Sequence, residues 1–205
     1  MKLYYMPGAC SLSPHIALRE AGVKFDLVKV DGKTKKTEAG ADFNAVNPKS
    51  YVPALELDNG RVLTEGAAIV QYIADKNPNA NLAPAAGSDA RYDLLEWLTF
   101  ISSEIHKGTG ALFNPQLPAD WKKVVLDKLA QRYDHLNKHL EKNQFVLGKD
   151  FSVADAYLFT VVNWANFVGI DLGKWPALKA YQERVAARPA VQAALKAEGL
   201  LKAAA

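Results

Sequence analysis

The stretch NPNANLAPAAGS, residues 77–88, divides a 205-residue chain into two parts that read differently. Its Pro, Gly, Asn and Ala content breaks both helical and strand periodicity, which is the composition of an interdomain linker. Before it, short strand-like runs alternate with helical ones; after it, every periodic segment repeats at helical spacing. The pattern predicts an α/β unit over 1–78, a linker over 79–87 and an all-helical unit over 88–205.

Upstream of the linker, KLYYM (Lys2 to Met6) has the aromatic content of a short strand and is stopped by Pro7-Gly8. SLSPHIALREA (Ser11 to Ala21) places Leu12, Ile16 and Leu18 near helical spacing, with Gly22 as a C-cap. FDLVKV (Phe25 to Val30) reads as a second strand, and residues 31–47 as loop. ALEL, the turn DNG and RVLT (Ala54 to Thr64) read as a hairpin, and EGAAIVQYIADKN (Glu65 to Asn77) as a helix. The order strand, helix, strand, irregular segment, hairpin, helix is that of a thioredoxin-like unit, by analogy of size and order.

Downstream, DARYDLLEWLTFISSEIHK predicts a helix with Tyr92, Leu95, Leu98, Ile101 and Ile105 along one stripe. The next helix turns Val125, Leu129, Leu136 and Leu140 inward. SVADAYLFTVVNWANFVG (Ser152 to Gly169) is apolar almost all round, as a central buried helix is, and Ser152 with Asp155 forms a capping-box pattern at its start. Two further helices meet at Pro189.

Composition narrows the function. Hydrophobic residues make up 49% and charged residues 23%, and the net charge of +3 is spread without a Lys/Arg stripe, so no nucleic-acid partner is expected. KTKK (Lys33 to Lys36) reads as a solvated loop. No run approaches the roughly 20 apolar residues of a membrane span, and Pro7-Gly8 interrupts any signal-peptide layout. A single cysteine, Cys10, makes neither an internal disulfide nor a structural zinc site, which favours a reducing, cytoplasmic address with no metal.

That cysteine lies in MPGACSLSP (residues 6–14), where a strand ends and a helix begins. Two readings are open: a small buried space-filler, or a nucleophile whose thiolate is favoured by free N–H groups and the positive end of the helix dipole. The spacing to Ser13 is C-x-x-S, so with no second sulfur a working Cys10 either forms a mixed disulfide with an external thiol such as glutathione or assists that thiol through hydrogen bonds. In YVPALEL, Val-Pro before a strand is either a strand-initiating proline or a cis bond that turns out the Val52 backbone. In TEGAAI, Glu65 either complements the helix dipole or receives an ammonium while the helix N-terminus holds a carboxylate. His106 is either a solvated residue near a helix end or a group acting on the sulfur.

Together, MPGACSLSPHIALRE, NPKSYVPALEL, LTEGAAIVQYIAD, FISSEIHKG and FSVADAYLF resemble the bacterial beta class of cytosolic glutathione transferases, over the whole chain. The resemblance implies glutathione as co-substrate with no further cofactor, a small hydrophobic electrophile and a homodimer with a detoxification role. It places Cys10 and His106 at the catalytic centre, and Lys35, Val52, Glu65 and Gly66 along the glutathione. Thr99 falls at a glutathione-contact position, and Ser103 and Glu104 fall where glutathione is contacted across the dimer. Thr99 stands where members often carry Asn, and Gly66 where many carry Ser. Tyr5 is a rival to Cys10, since other classes use a tyrosine near the end of the first strand. The implied activity is conjugation of glutathione to electrophiles. The alternatives are a thiol–disulfide reductase or reductive dehalogenase working through a Cys10 mixed disulfide, and a non-catalytic binding module.

Overall fold

The computed structural model describes residues 1–201. Contacts divide it into two compact units: Met1–Ala83 with the described residues from Arg188 onward, and Pro84–Ala187.

The first unit is built on a sheet in the order β2–β1–β3–β4, from β1 (Lys2–Tyr5), β2 (Asp26–Lys29), β3 (Ala54–Glu56) and β4 (Val62–Thr64). β1 and β2 are parallel and joined through α1 (Leu12–Glu20); β3 pairs antiparallel with β1 and with β4, closing the expected hairpin. α2 (Gly66–Lys76) follows β4 and buries Ile69, Val70 and Ile73. Tyr72, beside Ile73 in sequence, is only half-buried. One face of the sheet packs Tyr4, Val30, Phe43, Val52 and Ala54 into an apolar cluster. The arrangement is the thioredoxin-like one anticipated.

The last helix, α9 (Pro189–Ala197), groups with this unit, whereas the sequence reading put residues 88–205 in one helical unit. α9 buries Val191, Ala194 and Leu195 and packs on α1. Arg188 at its start donates to both oxygens of Glu20, at 2.6 and 2.9 Å. Pro189 lies inside the first turn of α9 rather than between two helices, a position where its missing N–H costs nothing.

The second unit comprises α3 (Asp89–Phe100), a π-helical segment Ile101–His106, α4 (Lys107–Ala111), α5 (Ala119–Leu140), α6 (Val153–Val162), α7 (Ala165–Val168) and α8 (Pro176–Ala186). On α3 the buried stripe runs through Leu94 and Leu98 and on to Ile101 and Ile105. Tyr92, expected to face inward, is exposed, because the buried stripe follows Leu94 rather than its neighbours at 92 and 95. On α5, Leu129, Leu136 and Leu140 are buried together with Tyr133, and Val125 is half-buried. α6 is buried at every position but ends at Val162; the expected single helix to Gly169 is two. Its capping box is formed: Ser152 and Asp155 satisfy each other's backbone N–H groups. Among the described residues no helix is long and apolar enough to cross a membrane.

Candidate active site

In the first unit, the turn between β1 and α1 carries Cys10. Gly8 takes a φ of +72°, a region that costs a residue with a Cβ, and so lets the chain reverse after Pro7. The Ser11 hydroxyl closes the turn, accepting from the Met6 N–H at 3.1 Å and donating to the Met6 carbonyl at 3.2 Å. Helical bonding starts earlier than the sequence suggests: Leu12 and Ser13 N–H donate to the carbonyls of Ala9 and Cys10. Those two amides are therefore committed to the turn and are not offered to an anion at Cys10. The cysteine is half-buried, not sealed, and its thiol donates to the Val52 carbonyl at 3.3 Å. Ser13, the last residue of the C-x-x-S, is fully buried.

The Val52–Pro53 bond is cis. The Val52 side chain sits in the core, its carbonyl is engaged by Cys10, and its N–H has no partner among the described residues. The main chain at Val52 is thus half committed, its C=O engaged and its N–H not.

Glu65 caps α2 with φ +68°, a strained value for a residue with a side chain, and leaves its own side chain off the helix N–H groups. Instead Oε1 accepts from Lys49 Nζ at 2.6 Å and from the Tyr51 hydroxyl at 2.7 Å, and Lys49 also donates to the Thr64 hydroxyl at 3.1 Å. This carboxylate receives an ammonium, as its sequence context suggests, and the ammonium is the chain's own. Hydrogen bonding to Glu65 holds the Lys49 ammonium and the Tyr51 phenol above their ordinary pKa values. Gly66 is the first residue of α2. Lys35 is half-buried in the loop after β2 with φ +56°.

Tyr5 offers little as a rival to Cys10. Both Tyr4 and Tyr5 are buried, and burial, with Glu198 and Glu38 nearby, pushes the Tyr5 hydroxyl up, away from phenolate. Tyr4 donates to Glu56 at 2.7 Å and is pushed up to about 12, by burial first and Glu56 second.

The remaining candidates belong to the second unit. His106 ends the π-helical segment, and its Nδ1 lies 2.6 Å from the Tyr157 hydroxyl. The rings of Tyr157 and Trp164 meet its ring edge-on, with centroids at 5.7 and 5.0 Å. Phe113 in turn meets Trp164 at 5.7 Å. Glu104 Oε2 pairs with Arg132 of α5 at 2.7 Å. The hydroxyls of Thr99 and Ser103 donate to the carbonyls of Leu95 and Thr99, one turn back on their own helix. Cys10 and Val52 are thus brought together, Glu65 is joined by Lys49 and Tyr51, and His106 is framed by Tyr157 and Trp164.

The chain matches "Glutathione S-transferase, N-terminal domain" over residues 8–76 and "Glutathione S-transferase, C-terminal domain" over residues 100–189. It belongs to the glutathione S-transferase family. Glutathione S-transferase GstA of Escherichia coli O157:H7 is 48% identical over 98% of this chain and 100% of its own. The structure of BphK, a bacterial transferase described as a ternary complex, superposes with a TM-score of 0.96 at 57% identity, over 98% of this chain and 100% of the other. A beta-class transferase of Sphingomonas chungbukensis superposes at 0.94 with 50% identity, over the same shares. The chain is accordingly a bacterial beta-class glutathione transferase, an enzyme, as its motifs imply.

Three features of this transferase's site escape a sequence reading. Lys49 and Tyr51 lie in NPKSYVPALEL, but nothing in that stretch states that they reach Glu65, 16 and 14 residues on. Ser11 stands next to the cysteine, yet its hydroxyl serves the backbone at Met6. Tyr157 lies in FSVADAYLF, where nothing in the sequence states that its hydroxyl meets His106.

Proposed function

We propose that this transferase binds glutathione extended along the Val52 segment, with the glutathione sulfur beside Cys10, and transfers the thiolate to small hydrophobic electrophiles. The observation that carries this reading is the joining of a half-buried thiol to the Val52 main chain, with the Val52 N–H left unpaired. An extended peptide supplies the carbonyl that this N–H lacks. Glu65 and the N-terminus of α2 suit the two opposite charges of an α-amino-acid end, with Gly66 offering a backbone N–H but no hydroxyl. Lys35 is assigned the glycyl carboxylate. From the resemblance, Thr99, Ser103 and Glu104 are assigned supporting contacts in a homodimer, and His106 a role in catalysis.

In the reaction the glutathione thiol gives its proton to solvent, and its sulfur forms a bond to an electrophilic carbon. A leaving group departs with its electron pair, or the neighbouring carbon takes up a proton. Each pKa unit by which the thiol is lowered reflects about 1.4 kcal/mol of preference for the anion. Cys10 acts here through its hydrogen bonds and not as a covalent carrier. Cys10→Ala separates the two roles. Conjugation of an activated aryl chloride is expected to persist within about tenfold, the scale of one hydrogen bond. Glutathione-dependent disulfide reduction is expected to vanish. A fall of conjugation to the uncatalysed rate, with glutathione still bound, would assign the sulfur a covalent role.

A further inference from the structure

A cavity of about 690 Å³ lies at the end of the sheet where β1 and β2 begin, wholly within the first unit. Cys10 follows the opposite end of β1. The cavity is lined by Arg19, in the last turn of α1, and by Val23, Lys24, Phe25, Asp26 and Leu27. Arg19 is half-buried and held from two sides. Its Nε–H donates to Nε2 of the fully buried His15 at 2.8 Å, and its Cζ stands 5.8 Å from the centroid of the Phe25 ring. His15 meets that ring edge-on at 5.6 Å. The two terminal amino groups of the guanidinium have no hydrogen-bond partner among the described residues. The nearby carbonyls at the end of α1 are taken: those of Ala17, Leu18 and Arg19 accept from the N–H groups of Ala21, Val23 and Gly22.

The charges around Arg19 leave it without a direct counter-ion. Its partner at His15 is a neutral ring nitrogen, and the Glu198 carboxylate sits at the other nitrogen, Nδ1. Lys24 and Asp26 are exposed, and neither joins an ion pair among the described residues. The Met1 ammonium, also at the cavity, is paired with Asp58 at 2.6 Å. A planar fork with two unspent amino groups matches a carboxylate, which accepts both bonds in one plane. Val23, Phe25 and Leu27 are half-buried and offer apolar surface that an inorganic anion does not cover. The volume is that of a small-molecule site.

We propose that this cavity is a further binding site, for a small aromatic carboxylate: the carboxylate pairs with the Arg19 fork, Lys24 strengthens it from the rim, and the hydrocarbon body covers Val23, Phe25 and Leu27. Asp26 opposes negative charge there, so the site favours a single charge on an apolar body over a dianion. Nothing in this assignment depends on the chemistry proposed at Cys10.

The test uses 4-phenylbutyrate and its neutral isostere 4-phenylbutyramide, read by nuclear magnetic resonance at the Val23 and Leu27 methyl groups of the full chain. The carboxylate is expected to give saturable shifts there with a Kd of about 1–3 mM, what roughly twelve non-hydrogen atoms sustain. The amide should bind at least about tenfold more weakly. At low salt Lys24→Gln should weaken the carboxylate about twofold, and Asp26→Asn should tighten it by about the same factor. Both replace exposed side chains and leave Arg19 and His15 in place. No shift at these methyl groups at about 20 mM carboxylate, roughly ten times that Kd, overturns the proposal. So does an amide that binds as tightly as the acid, or a pair of variants that move the affinity in the same direction. Inorganic phosphate shifting the same methyl groups with equal affinity would overturn the organic ligand.

Discussion

Glu198 reaches from the end of α9 to the turn that carries Cys10, its Oε2 accepting from the Gly8 N–H at 2.9 Å. Its Oε1 accepts from His15 Nδ1 at 2.8 Å, and both side chains are fully buried. Arg19 Nε–H donates to His15 Nε2 at 2.8 Å, so the ring proton sits on Nδ1 and points at the carboxylate. The chain Arg19–His15–Glu198–Gly8 fastens α9 to the cysteine turn. Removing the carboxylate strands a buried imidazole N–H and a backbone amide. Glu198→Ala is expected to cost about 3 kcal/mol, a drop in Tm of roughly 6–12 °C for a protein of this size. Calorimetric unfolding checks it, and a loss below about 1 kcal/mol would contradict the assigned role.

The capping box on α6 makes a second stability prediction. Asp155 accepts from the N–H groups of Val146 and Ser152 and from the hydroxyls of Ser152 and Tyr181. Ser152→Ala should cost about 1 kcal/mol, the usual value for a lost N-cap. Burial pushes the Asp155 carboxyl from 3.8 up to about 6, against the downward pull of these hydrogen bonds. Between those values the folded protein keeps a proton that the unfolded chain has released. Its contribution is therefore full below about 4 and is lost as pH rises through about 6. Denaturant unfolding of the unaltered protein and of Asp155→Asn isolates it. The unaltered protein should lose stability relative to the variant, on the order of 3 kcal/mol, as pH rises through this window. A pH-independent difference would refute the assignment.

The Glu65 carboxylate makes a ligand prediction. With Lys49 and Tyr51 already on Oε1, a ligand ammonium enters a network that is partly satisfied. Glu65→Gln is expected to weaken glutathione binding about tenfold, the lower range for a hydrogen bond to a charged group. An analogue lacking the α-amino group should bind both forms alike. Equal loss for both ligands would mean that Glu65 shapes the loop and reads no ammonium.

What the sequence discloses here depends on the range of the contact. The hairpin 54–64, the α1 and α2 helices and the Ser152–Asp155 box are written in neighbouring residues, where periodicity and capping rules act. The cysteine at the β1–α1 junction is legible for the same reason. The destination of α9 is not, because an apolar stripe such as Val191, Ala194 and Leu195 states that it needs a partner without saying which. The π-helical offset at Ile101–His106 reads as ordinary helix, since its apolar residues still fall near helical spacing. Tyr157 and Lys49 make contacts 51 and 16 residues away, which local periodicity does not encode.

Titration calorimetry of the purified, unaltered protein with reduced glutathione tests the central claim most directly. Capture of an extended tripeptide by the Val52 main chain and the Glu65 end predicts saturable heat with one glutathione per chain and a Kd below about 1 mM. Absence of measurable binding at millimolar glutathione would contradict it and leave the Cys10 thiol with no substrate beside it.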